Sequence, residues 1–193
     1  MMPIGPLMIE HRLIEREISL LGREYDDIVS SGEVDVVFLE EGIDFLRSYA
    51  DKVHHGKEED ILFRDLEKRD ITPTLRSTMD GLREDHRRSR EHTRALLDAV
   101  MGYRDGDLPR VEEIKQHLSF LIALYPQHIE TEDRRFFIPC MEYFSDREKE
   151  EMLKEFSDFD GRMIHEHYRT LVEKREGKNQ SRIILSNGED ADG

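Results

Sequence analysis

The sequence predicts an all-α protein, an antiparallel up-and-down four-helix bundle with an additional C-terminal helix. Apolar residues recur at spacings of three and four along almost the whole chain, which is the pattern of helices that bury one face. Charged residues make up 38% of the 193 residues, whereas there are only 12 Gly and 6 Pro. This composition is typical of long solvated helices and argues against a β-sandwich or barrel.

Breaks and capping residues divide the apolar pattern into five helices. The first helix is predicted over about 6–29, before a break at Gly32, and the second should end near Arg69. Thr72 and Pro73 look like an N-cap and a first helical residue, so a third helix should start there and run to about Tyr103.

The fourth helix should start at a cap on Asp107 and end near Pro139, with Pro126 causing a kink or a local irregularity. Ser145 and Glu148 fit a capping box that opens a fifth helix, predicted to continue to Glu176. Short connections between long helices favour antiparallel neighbours. We therefore assign residues 1–176 to a bundle domain and residues 177–193, which are mainly polar, to a flexible tail.

Charge and cysteine content narrow the classes of partner and compartment. The chain has 29 Lys and Arg against 44 Asp and Glu, a net charge of −15, which disfavours nucleic-acid binding and favours cations as partners. Cys140 is the only cysteine, so it cannot form an intramolecular disulfide. Nothing therefore points to an oxidising compartment, and the cytoplasm is the expected location. No apolar run approaches the roughly 18 residues of a membrane span, so no membrane partner is expected.

One arrangement of residues occurs twice, about 75 positions apart. Each copy has a histidine followed by acidic residues at offsets of four and five and by apolar residues at offsets of eight and nine. The two copies are His54, Glu58-Glu59 and Leu62-Phe63, and His128, Glu132-Asp133 and Phe136-Phe137. An acid-His-Arg triplet also recurs at the same distance, around His11 and His86. The chain is therefore predicted to contain two copies of one helical hairpin.

This repeat indicates a metal site. In a helix, residues four apart lie on one face about 6 Å apart, so His54 with Glu58, and His128 with Glu132, can each direct an imidazole and a carboxylate to one point. Burying so many ionisable groups in a bundle core would be prohibitive without cations. Imidazole and carboxylate together suit iron, manganese or zinc, and six to eight ligands suit two ions that share bridging glutamates.

These motifs resemble those of the hemerythrin-like (HHE) family over roughly residues 8–175. The resemblance implies a four-helix bundle that binds a non-haem di-iron centre. Carried over by position, it implies the ligands His11, His54, Glu58, His86, His128 and Glu132, with the two glutamates as bridges.

The chain departs from the oxygen-carrying members on the third helix, where those proteins have a second histidine and this chain has Arg90. A replacement ligand is expected from His55, adjacent to His54, or from His165, if the fifth helix folds back across the open end of the bundle. His92 should face away from the site and lie at the surface, and His117 is expected to be a core or channel histidine.

Three functions are compatible with this site. The first is reversible binding of O2 or NO, or storage and sensing of iron and oxygen, by a di-iron protein. The second is a di-iron redox enzyme that acts on nitric oxide or peroxide or takes part in iron–sulfur cluster repair. The third is an interaction module that becomes ordered when metal binds. Because no general acid or base stands out beyond the ligands, the sequence favours a binding protein over an enzyme.

Overall fold

The computed structural model describes residues 2–160 and 167–177, which form six continuous helical segments and no strand. α1 is Ile4–Ser31, α3 is Pro73–Arg104 and α5 is Asp146–Phe159. α2 spans residues 36–66 and consists of Val36–Phe45, Leu46–His55, Glu58–Phe63 and Arg64–Leu66. α4 spans residues 108–141 and consists of Leu108–Arg110, Val111–Thr131, Glu132–Phe136 and Phe137–Met141. α6 is the helix at residues 167–177.

Several predicted helix ends are confirmed by their local geometry. The hydroxyl of Thr72 accepts a hydrogen bond from the Leu75 N–H at 3.2 Å. Ser145 and Glu148 form the predicted capping box at the start of α5. Gly32 ends α1 at a φ of 74°, in the left-handed region that a glycine adopts without steric cost. These signals are local, so they can be recognised in the sequence alone.

Two predictions about helix ends are wrong. Asp107 does not cap α4, because its carboxylate instead accepts a hydrogen bond from Arg110 Nε at 3.2 Å. The predicted fifth helix does not continue to Glu176: α5 ends at Phe159, and Asp160 has an extended backbone with φ −80° and ψ 109°. The apolar periodicity resumes in α6, which is why the sequence pattern conceals the interruption. The predicted tail beyond Gly177 lies outside the described residues.

Helices α2 and α4 contain wide turns in which hydrogen bonds join residues five apart. The N–H of Gly56 bonds to the carbonyl of Asp51, and the N–H of Phe137 bonds to that of Glu132. The irregularity expected at Pro126 is absent there, since the α-helix continues through Pro126 to Thr131 and the wide turn follows. Wide turns of this kind occur frequently at functional sites.

The long helices bury two apolar clusters with a polar layer between them. α1 packs against α2 and α4, and α3 also packs against α2 and α4. One cluster includes Leu21 and Leu118, and the other includes Leu7 and Phe136. Along each helix, buried histidines and glutamates occupy the stretch between the two clusters. Within the described part of the chain, no helix has both the length and the apolar character to cross a bilayer.

A buried ion pair attaches α6 to the other helices. Arg175 is fully buried, and its Nη2 donates to Glu17 Oε1 at 2.8 Å. Its Nη1 donates to the carbonyl of Phe38 at 2.5 Å, and its guanidinium stacks over the Phe38 ring at 3.8 Å. Gly42 is part of this contact, since a Cβ there would lie 2.8 Å from Leu21 Cδ2 and 2.9 Å from Glu17 Oε1.

Gly42→Ala is therefore expected to destabilise the fold by about 1–3 kcal/mol through overpacking. Gly22→Ala is the matched control, because a Cβ at Gly22 meets nothing within 4 Å. Gly22 lies inside α1, so its replacement should stabilise the protein by about 0.5–1 kcal/mol. Urea denaturation measures both free energies of unfolding. Equal effects of the two substitutions would contradict the close packing at Gly42.

Candidate metal centre

Two groups of buried side chains offer ligand atoms that lie within 4.8 Å of one another. The first group is His11, His54, Glu58 and Glu132, and the second is His55, Glu58, His86 and His128. Glu58 belongs to both groups. The structure thus brings together seven of the eight residues proposed from the sequence, from all four long helices, whereas His165 lies outside the described residues.

Each of the two glutamates extends from one group to the other. Glu58 Oε1 lies 3.5 Å from His54 Nε2, and Glu58 Oε2 lies 3.4 Å from His86 Nε2. Glu132 Oε2 lies 3.1 Å from His11 Nε2, and Glu132 Oε1 lies 3.2 Å from His128 Nε2. Both carboxylates therefore have one oxygen beside each group of histidines, which is the arrangement that a bridging ligand requires.

Six of the polar atoms that face the centre of this cluster lack hydrogen-bond partners, whereas Nε2 of His86 and Nε2 of His128 lie 3.1 Å apart. Both oxygens of Glu58, both oxygens of Glu132, and Nε2 of His11 and His54 are buried without a hydrogen bond. A buried polar atom left without a partner costs about 1–3 kcal/mol. Six such atoms gathered at one place fit a cation that would accept their lone pairs, so the residues present suit a metal of the iron, manganese or zinc class.

The outward-facing nitrogen of each of four histidines lies beside a second carboxylate. The Nδ1 distances are 2.7 Å from His11 to Asp133, 2.9 Å from His54 to Glu10, 2.6 Å from His86 to Glu59 and 3.6 Å from His128 to Asp85. Such partners set the tautomer and the orientation of a ligating imidazole, leaving Nε2 to face the metal. The sequence already contained this signal, since all four acids belong to the repeated motifs.

Each of the two sequence repeats makes equivalent contacts with the other repeat. The carboxylates of Asp133 and Glu59 cross between the halves, to His11 and His86 respectively. The aromatic contacts follow the same rule: the His11 ring stacks on Phe137 with centroids 5.6 Å apart, and the His86 ring stacks on Phe63 at 6.0 Å. Each hairpin therefore completes the surroundings of the other's lone histidine.

The wide turns coincide with the candidate ligands. Leu46–His55 ends with His54 and His55, and Glu58–Phe63 and Glu132–Phe136 each begin with a glutamate of the cluster. Hydrogen bonds to the fifth residue place more residues in each turn, which reduces the angle between consecutive side chains. This geometry allows the adjacent histidines of α2 to be buried in the same cluster.

His55 breaks the symmetry of the repeat. The corresponding position in the second half is Ile129, which cannot ligate. The His55 ring stacks on the His86 ring of α3, with centroids 3.9 Å apart. His55 can therefore take the place of the second histidine that α3 lacks. Arg90, the residue present instead, donates to Asp51 at 2.6 Å and to Glu59 at 2.8 Å and stays outside the cluster.

The carboxylates and imidazoles of the cluster shift one another's pKa values. Burial and the neighbouring Glu132 raise the pKa of Glu58 well above its usual value. Burial alone would lower the pKa of His128, but Glu132 and Asp85 outweigh it and raise this pKa to about 9. Burial and the nearby His86 lower the pKa of His55 to about 3. A bound metal would replace protons held in such a cluster, which couples its binding to proton release.

Lys57 is a buried residue beside the centre that the sequence analysis missed. It is fully buried, forms an ion pair with Glu10 and lies 2.8 Å from an oxygen of Asp160. Because Glu10 also contacts His54, Lys57 holds the carboxylate that orients this histidine. The repeat carries no signal for it, since the equivalent residue of the second half is Thr131.

Two other histidines lie outside the cluster and contact each other. His92 and His117 are both half-buried, with their Nδ1 atoms 3.1 Å apart, and the His92 ring stacks on Phe120 with centroids 3.5 Å apart. His117 is therefore not a core histidine, and His92 lies away from the cluster, as expected, although its ring is partly covered by Phe120. Spacing along one helix did not reveal this pair, because the contact is made between α3 and α4.

A family model described as the hemerythrin HHE cation binding domain matches residues 2–139. This match covers both repeated motifs and all seven clustered residues. No curated protein and no solved structure matches the chain in the other two comparisons. Together with the all-helical fold and the clusters of histidine and glutamate, the match shows that the chain belongs to the hemerythrin HHE cation-binding domain family.

Proposed function

We propose that this protein holds two iron ions in a dinuclear centre and binds O2 or NO reversibly there. The observation that carries the proposal is the position of Glu58 and Glu132, each with one oxygen beside both groups of histidines. One ion alone would leave one of these histidine groups without a partner. Two ions would satisfy the buried polar atoms, including the six that lack hydrogen bonds.

We also propose the antiparallel up-and-down bundle of residues 1–176 as the domain that holds the two ions. Each long helix packs against two others, and the short connections at 32–35, 67–72 and 105–107 favour antiparallel neighbours. Every long helix then contributes at least one candidate ligand. This arrangement keeps the ligands on rigid elements between two apolar clusters.

The ligand set gives the two ions different surroundings. His55, His86 and His128 would serve one ion, whereas only His11 and His54 would serve the other. The second ion would have fewer protein ligands, so a diatomic ligand would be expected to bind there. Phe137 packs beside His11 and helps to exclude water there. Iron in such a site supplies electrons to the bound gas, while the residues hold the ions and keep the pocket dry.

The test is metal analysis followed by gas titration. Protein purified without oxygen or chelator should contain close to two irons per chain, and its absorption spectrum should change on adding O2 or NO. Removal of the gas should restore the original spectrum. Consumption of nitric oxide or peroxide under turnover would instead establish a redox enzyme. A folded protein that refuses iron on reconstitution would refute the proposal.

His55→Ala is expected to weaken the binding of one of the two ions by at least about tenfold, because even loss of a residue behind a ligand typically costs 10–100-fold in affinity. Iron content after dialysis should then fall from about two per chain towards one. His92→Ala is the matched control and should retain both ions, since His92 contacts His117 and Phe120 rather than the cluster. If His55→Ala retains both ions with unchanged affinity, His55 is not a ligand.

A further inference from the structure

A cavity of about 240 Å³ lies between α2 and α3, and cationic side chains surround it. We call it the α2–α3 cavity. Its lining includes Arg47, Lys52 and the acidic residue Asp51 from α2, Arg90 and Arg94 from α3, and the buried residues Ser89 and Thr93. The Asp51 carboxylate is paired with Arg90 at 2.6 Å, so it does not neutralise the other three cations. None of the seven clustered histidines and glutamates lines it, so the cavity is separate from the proposed metal centre.

Three of these four cations make no ion pair within the described part of the chain. Arg90 is already paired, since it donates to Asp51 at 2.6 Å and to Glu59 at 2.8 Å. Arg47, Lys52 and Arg94 have no carboxylate within ion-pair distance among the described residues, although acidic residues outnumber basic ones in this chain. Unpaired like charges around one cavity repel each other and attract an anion.

The polar side chains at the base of the cavity suit an oxyanion. Ser89 and Thr93 are only 5% and 4% exposed, respectively. The Ser89 hydroxyl shares a hydrogen bond with the Tyr125 hydroxyl at 2.9 Å, and Thr93 makes no side-chain hydrogen bond with a described residue. Arginine, lysine and hydroxyl groups are the donors that bind phosphate and carboxylate oxygens.

The volume of the cavity limits the size of its ligand. At about 240 Å³ it is smaller than the roughly 300–1,000 Å³ typical of pockets for drug-sized molecules. It is nevertheless several times the roughly 30 Å³ that one water molecule occupies in the liquid. Room therefore exists for a small ion together with some of its hydration water.

From these observations we propose that the α2–α3 cavity binds a small oxyanion with more than one negative charge, of the size of phosphate. Arg47, Lys52 and Arg94 supply the attraction, and the hydroxyl of Thr93 is a donor at the buried end. The lining shares no residue with the metal centre, although Asp51 lies 3.7 Å from His55 Nδ1 and Arg90 pairs with Glu59, the carboxylate beside His86.

Calorimetric titration of the full chain with inorganic phosphate at 0.15 M salt tests this site. We expect saturable binding of one phosphate per chain. Arg94→Gln should weaken it about tenfold or more, the effect expected when one charge-assisted hydrogen bond is lost. Arg94 makes no ion pair to lose, so the variant should melt at the wild-type temperature. Repeating the titration with sulfate separates recognition of oxyanions in general from recognition of phosphate.

Arg76→Gln is the matched control, since Arg76 is exposed on the same helix, makes no ion pair with a described residue and does not line the cavity. It changes the net charge equally and should leave phosphate affinity unchanged. An equal loss in both variants would show non-specific attraction and overturn the site. Undiminished binding by the Arg47→Gln/Lys52→Gln/Arg94→Gln variant, or binding of polyglutamate but not phosphate, would also overturn it.

Discussion

Glu132→Ala is expected to remove both proposed ions, because one oxygen of Glu132 lies beside each group of histidines. The loss should exceed that of any single histidine, which serves one group only. Metal that binds only the folded state adds about 4 kcal/mol of stability at a thousandfold excess over its dissociation constant. For a domain of this size, that corresponds to a shift in melting temperature of roughly 10 °C.

Iron content and the melting temperature with and without ferrous iron measure this effect. Glu130→Ala is the matched control, because Glu130 is exposed two residues away on the same helix and, among the described residues, forms an ion pair with Arg134 alone. It should keep both the iron and the iron-dependent rise in melting temperature. If Glu132→Ala still bound two ions, the bridging role would be wrong even if the protein remained a metal binder.

Arg175→Gln is expected to destabilise the fold by about 3–5 kcal/mol at pH 8, the usual cost of removing one partner of a buried ion pair. Arg175 is fully buried against Glu17 and Phe38, so the substitution leaves the Glu17 carboxylate without its cation. The contact joins α6 to α1 and α2, and we expect α6 to become accessible to proteases. Lys174→Gln, on the same helix but exposed, should have little effect.

The cost of Arg175→Gln should depend on pH. Burial raises the pKa of Glu17 to about 7, although Arg175 acts in the opposite direction. Between about pH 4.5 and 7 the folded state therefore holds a proton that the unfolded chain has released, and wild-type stability falls as pH rises through this range. Removal of Arg175 raises this pKa further, so the fall extends to higher pH.

Denaturant unfolding at pH 6 and pH 8 should thus show a smaller loss of stability for Arg175→Gln at pH 6, where Glu17 stays protonated and neutral in the variant. Glu17→Gln in the wild-type background should remove the part of the pH dependence that Glu17 contributes. An equal cost of Arg175→Gln at both pH values would show that Glu17 does not titrate in this range.

Much of the fold could be predicted because its signals are local. The caps at Thr72 and Ser145 and the glycine at Gly32 act within a few residues, and each ended or began a helix as expected. The end of α5 was predicted wrongly. Apolar residues keep the same helical spacing before and after Asp160, and this spacing outweighed the turn signal of the Asp160-Gly161 dipeptide, so the end of α5 at Phe159 was not predicted.

The site residues also divide into those that local helix geometry predicts and those that depend on contacts between helices. A duplicated motif places His54 with Glu58, and His128 with Glu132, on one face of each helix, and this consequence of helical geometry needs no tertiary information. The sequence left two alternatives for the replacement ligand, His55 and His165. His55 stacks on His86 because α2 packs against α3, and this contact is not visible in the sequence. Lys57 was missed, because its partners Glu10 and Asp160 lie on other segments of the chain.

By itself the sequence determined the helical class, the two matched hairpins and the chemistry of the candidate ligands. Tertiary structure alone decided which oxygen of each glutamate lies beside which histidine, how Arg175 is buried, and where unpaired cations form a cavity between α2 and α3. The physical reason is that residue type and spacing specify the face of a helix. Contacts between helices depend on how those faces pack, which no single segment encodes.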